Sequence, residues 1–216
     1  MIKLSKSSLP DGIEIKSEQD YRSNPVFSLI KDDCFNKCYI CEDKEPTGLQ
    51  VEHRIPHRDN DKLKYDWNNL LLSCYHCNHT KGDKFDNILD CTQIDPEEYL
   101  SISVSPYPKE LVVIAIKQDS CQSKETAALL ERIYNGEATV MLDAECENLR
   151  NRVFKELTIL QQKLIEFEDE PDLNIKEGFM NSIIKMIARS SAFAAFKREV
   201  IRNTPKYMQE FGEYLA

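Results

Sequence analysis

A chain of 216 residues can bury a sizeable core, and 41% hydrophobic with 30% charged residues is the composition of a globular protein, not of a disordered or fibrous one. No run of about 18 apolar residues and no N-terminal apolar signal region occurs, which excludes membrane-spanning and secreted classes from expectation and makes the cytoplasm the expected location. The net charge of -9 has the wrong sign for a free-standing nucleic-acid binder, because phosphate affinity comes largely from Lys and Arg.

In chain order, residues 1 to 30 are polar with isolated apolar positions and read as an arm leading to a short helix near Asn24 to Lys31. A cysteine- and histidine-rich region follows from Cys34 to about Asp90 and holds all four histidines, His53, His57, His76 and His79. YLSISVSPYPKELVVIAIKQ has two β-rich runs around SPYPKE, which suits a hairpin. SKETAALLERIYNG predicts a helix with Ser123 as a weak cap and Asn135-Gly136 as its stop. The apolar positions Leu142, Cys146, Leu149, Val153, Leu157, Leu160, Leu164 and Phe167 form one stripe of a long amphipathic helix. EDEPDLN, with Pro171, ends it. A last helix is expected over roughly Lys176 to Asn203, carrying Phe179, Ile183, Ile184, Ile187, Ala188, Ala192, Phe193 and Phe196. The expected division is residues 1-120, an arm, a metal-rich domain and a hairpin, and residues 121-216, a helical domain.

CYIC at 38 to 41 and CYHC at 74 to 77 are two Cys-x-x-Cys units in a chain expected to meet a reducing compartment, where metal ligation is favoured over disulfides. A Cys-x-x-Cys turn presents two sulfurs to one ion, and two turns complete a tetrahedral zinc site from Cys38, Cys41, Cys74 and Cys77. Cys34 stands close enough to compete, whereas Cys91, Cys121 and Cys146 read as packing residues. The 32 residues between Cys41 and Cys74 leave room for a strand, a loop, a second strand and the start of a helix.

A structural zinc site does not need VEHRIPH, WNNL or CNHTK. An acid beside a histidine, an asparagine-leucine on the return strand, and Cys-x-x-Cys-[HN]-x-x-K on the next helix together resemble the HNH family of ββα-metal nucleases in its cysteine-flanked form, over about residues 36-85. The resemblance assigns Glu52-His53 to the acid-histidine position, Asn69-Leu70 to the second, and Asn78 to the third, where many relatives carry His. It implies an α+β protein: a zinc-stapled ββα-metal domain, then a β-hairpin and a mainly α-helical C-terminal domain. It further implies metal-dependent DNA endonuclease chemistry. His53 would be the general base, Glu52 and Asn78 the ligands of a catalytic Mg²⁺ or Mn²⁺, Asn69 the residue that bridges backbone groups and holds the imidazole, and the zinc would be structural. His57, His79 and Lys81 are secondary candidates, with His79 an alternative to Asn78, and Lys81 and Lys84 could touch phosphates; His57 and His76 otherwise read as solvent-facing.

Outside the motif, KETAALLERIYNG, ENLRNRV and SAFAAFKREV make the chain resemble the PtuB family, the longer HNH proteins of Septu-type antiphage systems, which also has relatives in retrons. This resemblance implies a DNA-cutting effector in complex with a PtuA-like ATPase. Between Glu52 and Lys84, six basic side chains face five acids, so weak intrinsic attraction to DNA suits an enzyme positioned by a partner. The helical half is the expected partner surface. Two other classes compete: a non-catalytic zinc module that binds protein or nucleic acid, and a thiol redox sensor.

Overall fold

Residues 1–44, 46, 48–105, 111–136 and 140–215 are described by a computed structural model of the chain. Helix α1 (Glu18–Arg22) starts at a capping box in which the Asp20 carboxylate accepts from the Ser17 amide at 2.8 Å and hydroxyl at 2.9 Å. Helix α2 (Val26–Asp33) is the short helix expected near Asn24 to Lys31. Beyond it the chain passes through left-handed residues Phe35 and Asn36 into the first cysteine turn.

That turn is closed by backbone bonds, the Glu42 amide to the Cys38 carbonyl at 2.9 Å and the Cys38 amide to the Asp43 carbonyl at 3.0 Å. Glu42 adopts a left-handed φ of 63°, which a non-glycine residue holds only when its surroundings fix it. They do so here: its buried carboxylate meets the Met1 ammonium at 3.0 Å and Lys37 at 3.2 Å. Those cations, working against burial, hold the Glu42 carboxyl down at about 2.

Strands β1 (Leu49–His53) and β2 (Leu70–Cys74) pair antiparallel, from Leu49 opposite Cys74 to His53 opposite Leu70. Every residue of β2 is buried, as its LLLSC sequence dictates. Helix α3 (Asp61–Lys64) and a 3-10 turn (Trp67–Asn69) fill the connection. Helix α4 (Tyr75–Lys81) follows β2 without a linker. It stops at Gly82, whose φ of 47° and ψ of -143° place it where a side chain is strained. The strand, loop, strand and helix expected between the cysteine turns are all present.

Helix α5 (Pro96–Tyr99) leads into the expected hairpin, β3 (Leu100–Ser105) with β4 (Leu111–Ile116), Leu100 pairing Ile116 and Ser105 pairing Leu111. The PYPKE turn of that hairpin lies outside the described residues. Helix α6 (Cys121–Asn135) begins earlier than Ser123: Ser120 is the cap, accepting from the Ser123 amide at 3.0 Å, while Ser123 itself is buried. It ends at Asn135-Gly136 as expected. Helix α7 (Val140–Asp169) buries Cys146, Leu149, Val153, Leu160, Leu164 and Phe167, with Leu142 and Leu157 half-buried, so the stripe is a packed face.

The single last helix expected over Lys176 to Asn203 is instead two. Helix α8 (Leu173–Ile187), capped by Asp172, ends at Ala188, and helix α9 (Ala194–Arg202) begins after left-handed Phe193. Tertiary bonds cause the break: Lys37 Nζ donates to the Arg189 carbonyl at 2.6 Å and the Ser191 carbonyl at 3.0 Å, and the Phe193 amide donates to the Glu42 carbonyl at 3.0 Å. A further helix, α10 (Pro205–Phe211), with proline in its first turn, was not anticipated.

The protein is therefore α+β, with small two-stranded sheets and a helical C-terminal part. One apolar cluster gathers residues from Met1 to Phe196, including Ile30, Leu71, Leu130, Tyr134 and Val153. A second lies among Leu160, Leu164, Ile183, Ile187, Ile201 and Phe211. Among the described residues, no helix is long and apolar enough to cross a membrane.

Candidate functional site

The sulfur atoms of Cys38, Cys41, Cys74 and Cys77 all lie within 4.8 Å of one another and all four residues are buried. Cys41 and Cys74 are 3.9 Å apart, near the separation of about 3.8 Å that a tetrahedral ion with metal-sulfur bonds of about 2.3 Å demands. Cys74 ends β2 and caps α4, its sulfur accepting from the Cys77 amide at 3.5 Å, so sheet register and helix start bring the second turn to the first. Burial pushes the Cys41 and Cys77 thiols up. Burial acts on Cys38 too, but hydrogen bonds from Cys41, Cys74 and Cys77 outweigh it and pull that thiol well below its usual range. Four buried sulfurs at this spacing suit a metal ion. Cys34 stays outside the cluster: it accepts from the Leu72 amide at 3.3 Å, and burial pushes its thiol up to about 12. Cys91 and Cys146 are buried packing residues, but Cys121 is exposed.

A cleft of about 180 Å³ is lined by Glu52, His53, His57, Asn78, Lys81 and Asp83, among others. His53 ends β1, half-buried, and its Nε2 lies 2.9 Å from the Lys64 carbonyl. A carbonyl only accepts, so Nε2 carries the proton and Nδ1 of the neutral ring is left as the basic nitrogen. Burial, aided by the nearby cationic groups, pulls the His53 pKa below 6.5. His57 packs edge-on against it at 4.7 Å between ring centres, and the Nδ1 of His57 accepts from the Asp59 amide at 3.1 Å. His57 therefore faces the cleft, not open solvent.

Asn69 is buried behind this pair. Its Oδ1 accepts from the Ile55 amide at 2.8 Å, and its Nδ2 donates to the Ile55 and Leu63 carbonyls at 2.9 Å each. It thus ties the two ends of the β1–β2 connection together one residue from the Lys64 carbonyl that holds His53. It touches the imidazole only through that backbone.

Glu52 is fully buried, and both of its oxygens are engaged: Lys81 Nζ lies 2.6 Å from Oε1, and the Tyr39 hydroxyl donates to Oε2 at 2.7 Å. Burial pushes the Glu52 carboxyl above its usual value, against the pull of the Lys81 ammonium. Lys81 also donates to the His53 carbonyl at 2.9 Å, so it is a buried brace and not an exposed phosphate contact. Asn78 sits on the cleft wall, its Nδ2 donating to Gln50 Oε1 at 2.7 Å. The structure thus brings Glu52, His53, His57, Asn78 and Lys81 to one cleft. His79 is not among its lining residues: it is exposed and stacks on Tyr75 at 5.7 Å.

His76 does not face solvent. It is half-buried between α4 and the helices α6 and α7, bonded to Glu145 at 2.9 Å and the Ile133 carbonyl at 2.8 Å. Burial opposes its charge, but bonds to Cys146, Ile133 and Glu145 carry its pKa to about 9. Tyr39 and Gln50 are the site residues that the sequence reading missed. Tyr39 lies inside CYIC, between the cysteines, and Gln50 is two residues before Glu52 on the same face of β1; that period of two was the available signal.

The cleft offers hard oxygen donors of the kind that a divalent cation takes, the Glu52 carboxylate and the Asn78 side-chain carbonyl. A carboxylate has about four lone-pair sites, so the bonds from Lys81 and Tyr39 leave capacity on Glu52. The donor set fits.

Comparison with known proteins agrees with this geometry. Residues 38–84 match the HNH endonuclease family. The Septu protein PtuB of Bacillus thuringiensis is 36% identical over 73 residues, a stretch that covers 31% of this chain and 28% of that relative's length. No solved structure matches the chain.

Proposed function

We propose, on the premise that residues 38–84 are an HNH endonuclease domain, that this protein hydrolyses phosphodiester bonds in DNA as the effector of an antiphage system. One observation carries the reading: His53 lines a cleft together with Glu52 and Asn78, and its Nε2 lies 2.9 Å from the Lys64 carbonyl, which leaves Nδ1 as the basic nitrogen.

In this mechanism Nδ1 of His53 removes a proton from the attacking water, and burial keeps the ring neutral and ready for it at neutral pH. Asn69 fixes the backbone that carries Lys64, which fixes the ring plane. Glu52 and Asn78 would hold a Mg²⁺ or Mn²⁺ ion, which supplies charge to stabilise the phosphate and the departing oxygen. Lys81 and Tyr39 orient Glu52. The four cysteines would hold a structural zinc, because all four positions of the tetrahedron are filled by protein.

The likeness to PtuB supports a role beside a PtuA-like ATPase, with the helical C-terminal part as the docking surface. The chain's charge of -9 is consistent with targeting supplied by that partner, within the cytoplasm. The test is cleavage of plasmid DNA with Mg²⁺ or Mn²⁺ by the wild type and by His53→Ala, alone and with the neighbouring ATPase. Cutting by the wild type only supports the proposal. No cutting in any mixture, with the cysteine-bound metal retained, would favour a non-catalytic zinc module.

A further inference from the structure

We propose that the part of the substrate strand flanking the scissile phosphate lies along the open edge of β1, held there by Gln50, Asn78 and Arg22. This inference rests on the nuclease reading and names where its substrate runs. Strand β1 pairs with β2 on one side and, among the described residues, with no strand on the other. Along that side lies a groove of about 460 Å³ walled by Arg22 and Phe27 from the N-terminal helices and by Gln50 and Asn78 from the nuclease unit. It shares Val51 and Asn78 with the cleft that holds His53 and His57, so the two lie side by side along β1.

The chemistry of the walls suits a polynucleotide. The bond from Asn78 Nδ2 to Gln50 Oε1 leaves the Gln50 NH2 and the second Asn78 N–H as donors for the groove. Such groups bond phosphate oxygens and base edges. At the mouth, Arg22 and Lys64 share the single carboxylate of Glu18, at 2.9 and 3.0 Å, so one positive charge is left over. Exposed pairs of this kind hold their partners weakly, and Arg22 is free to exchange Glu18 for a phosphate. Half-buried Phe27, with Leu49, provides an apolar surface for a sugar or base face. An open strand edge also attracts extended peptides. The shared wall with the cleft and the leftover positive charge favour the nucleic acid.

The test uses the full chain. Binding of labelled single-stranded and duplex oligonucleotides of equal length is followed by anisotropy across a salt series, in a His53→Ala background with and without Gln50→Glu or Arg22→Gln. Gln50→Glu keeps the acceptor for Asn78 and the shape of the strand but sets a negative charge in the groove; Arg22 is exposed, and its replacement does not threaten folding. We expect Gln50→Glu to weaken binding roughly tenfold and Arg22→Gln to lower the slope of log affinity against log salt by about one. In proteins that retain His53, Arg22→Gln should raise KM and leave kcat unchanged. Loss on one oligonucleotide form alone names that form as the occupant, and loss on both supports a strand in either context. Unchanged affinity, slope and KM in both variants of a wild type that cuts would overturn this proposal alone and favour a peptide at the β1 edge. A wild type that neither binds nor cuts, alone or with the neighbouring ATPase, would overturn the nuclease reading with it.

Discussion

The Lys81 ammonium lies 2.6 Å from Glu52 Oε1, and both side chains are shut off from solvent. Two charges removed from water are costly, and losing one of them leaves the other uncompensated, at about 3–5 kcal/mol. Lys81→Met should therefore destabilise the protein by about that amount, as read from urea unfolding, while Glu52→Gln with Lys81→Met should restore part of it. A double variant no more stable than Lys81→Met would show that the pair does not act as a unit.

Asn69→Ala removes three hydrogen bonds to Ile55 and Leu63. Buried backbone groups left without partners cost about 1–3 kcal/mol each, so a loss of several kcal/mol is expected in thermal or urea unfolding. Because the Lys64 carbonyl would move with the loosened connection, kcat should fall more than KM rises. A pure KM effect would place Asn69 on the substrate instead.

Removal of the cysteine-bound metal should disorder α4, since Cys74 and Cys77 fix its first turn. Titration with a thiol reagent before and after a strong chelator should show four protected thiols becoming reactive as the melting temperature falls. Four thiols that react at the same rate with and without chelator would argue against a metal there.

The burial of His53 and the cationic groups beside it set its pKa below 6.5. A base must be deprotonated to act, so cleavage should rise with pH along a limb that lies below 6.5 and should be level from about pH 7 to about 8. A midpoint above 7 would assign the titration to another group.

The four-cysteine cluster was legible because its members come in local pairs whose spacing is itself the geometric requirement. Glu52 and His53 were legible as neighbours at a strand end, and the stripe on α7 as a period. The partners of those residues were not. Lys81 was read as a possible phosphate contact, whereas it faces inward, because its partners Glu52 and the His53 carbonyl lie on β1, a pairing across the fold that is written in no single stretch of sequence. The break at Ala188 was illegible for a related reason: SSAFAAF has good helical periodicity, and what overrides it is a lysine 152 residues earlier. Propensity yields there to three carbonyl and amide bonds made across the molecule.

Those bonds have a consequence in time. Lys37 and Glu42, which frame the first cysteine turn, complete their bonding only with Arg189, Ser191, Phe193 and Ala195. A ribosome delivers residues 38–84 long before it delivers that segment. During synthesis a buried lysine and a strained glutamate therefore wait for partners 152 and 153 residues further along, and the first cysteine turn is finished only when residues 189–195 are in place.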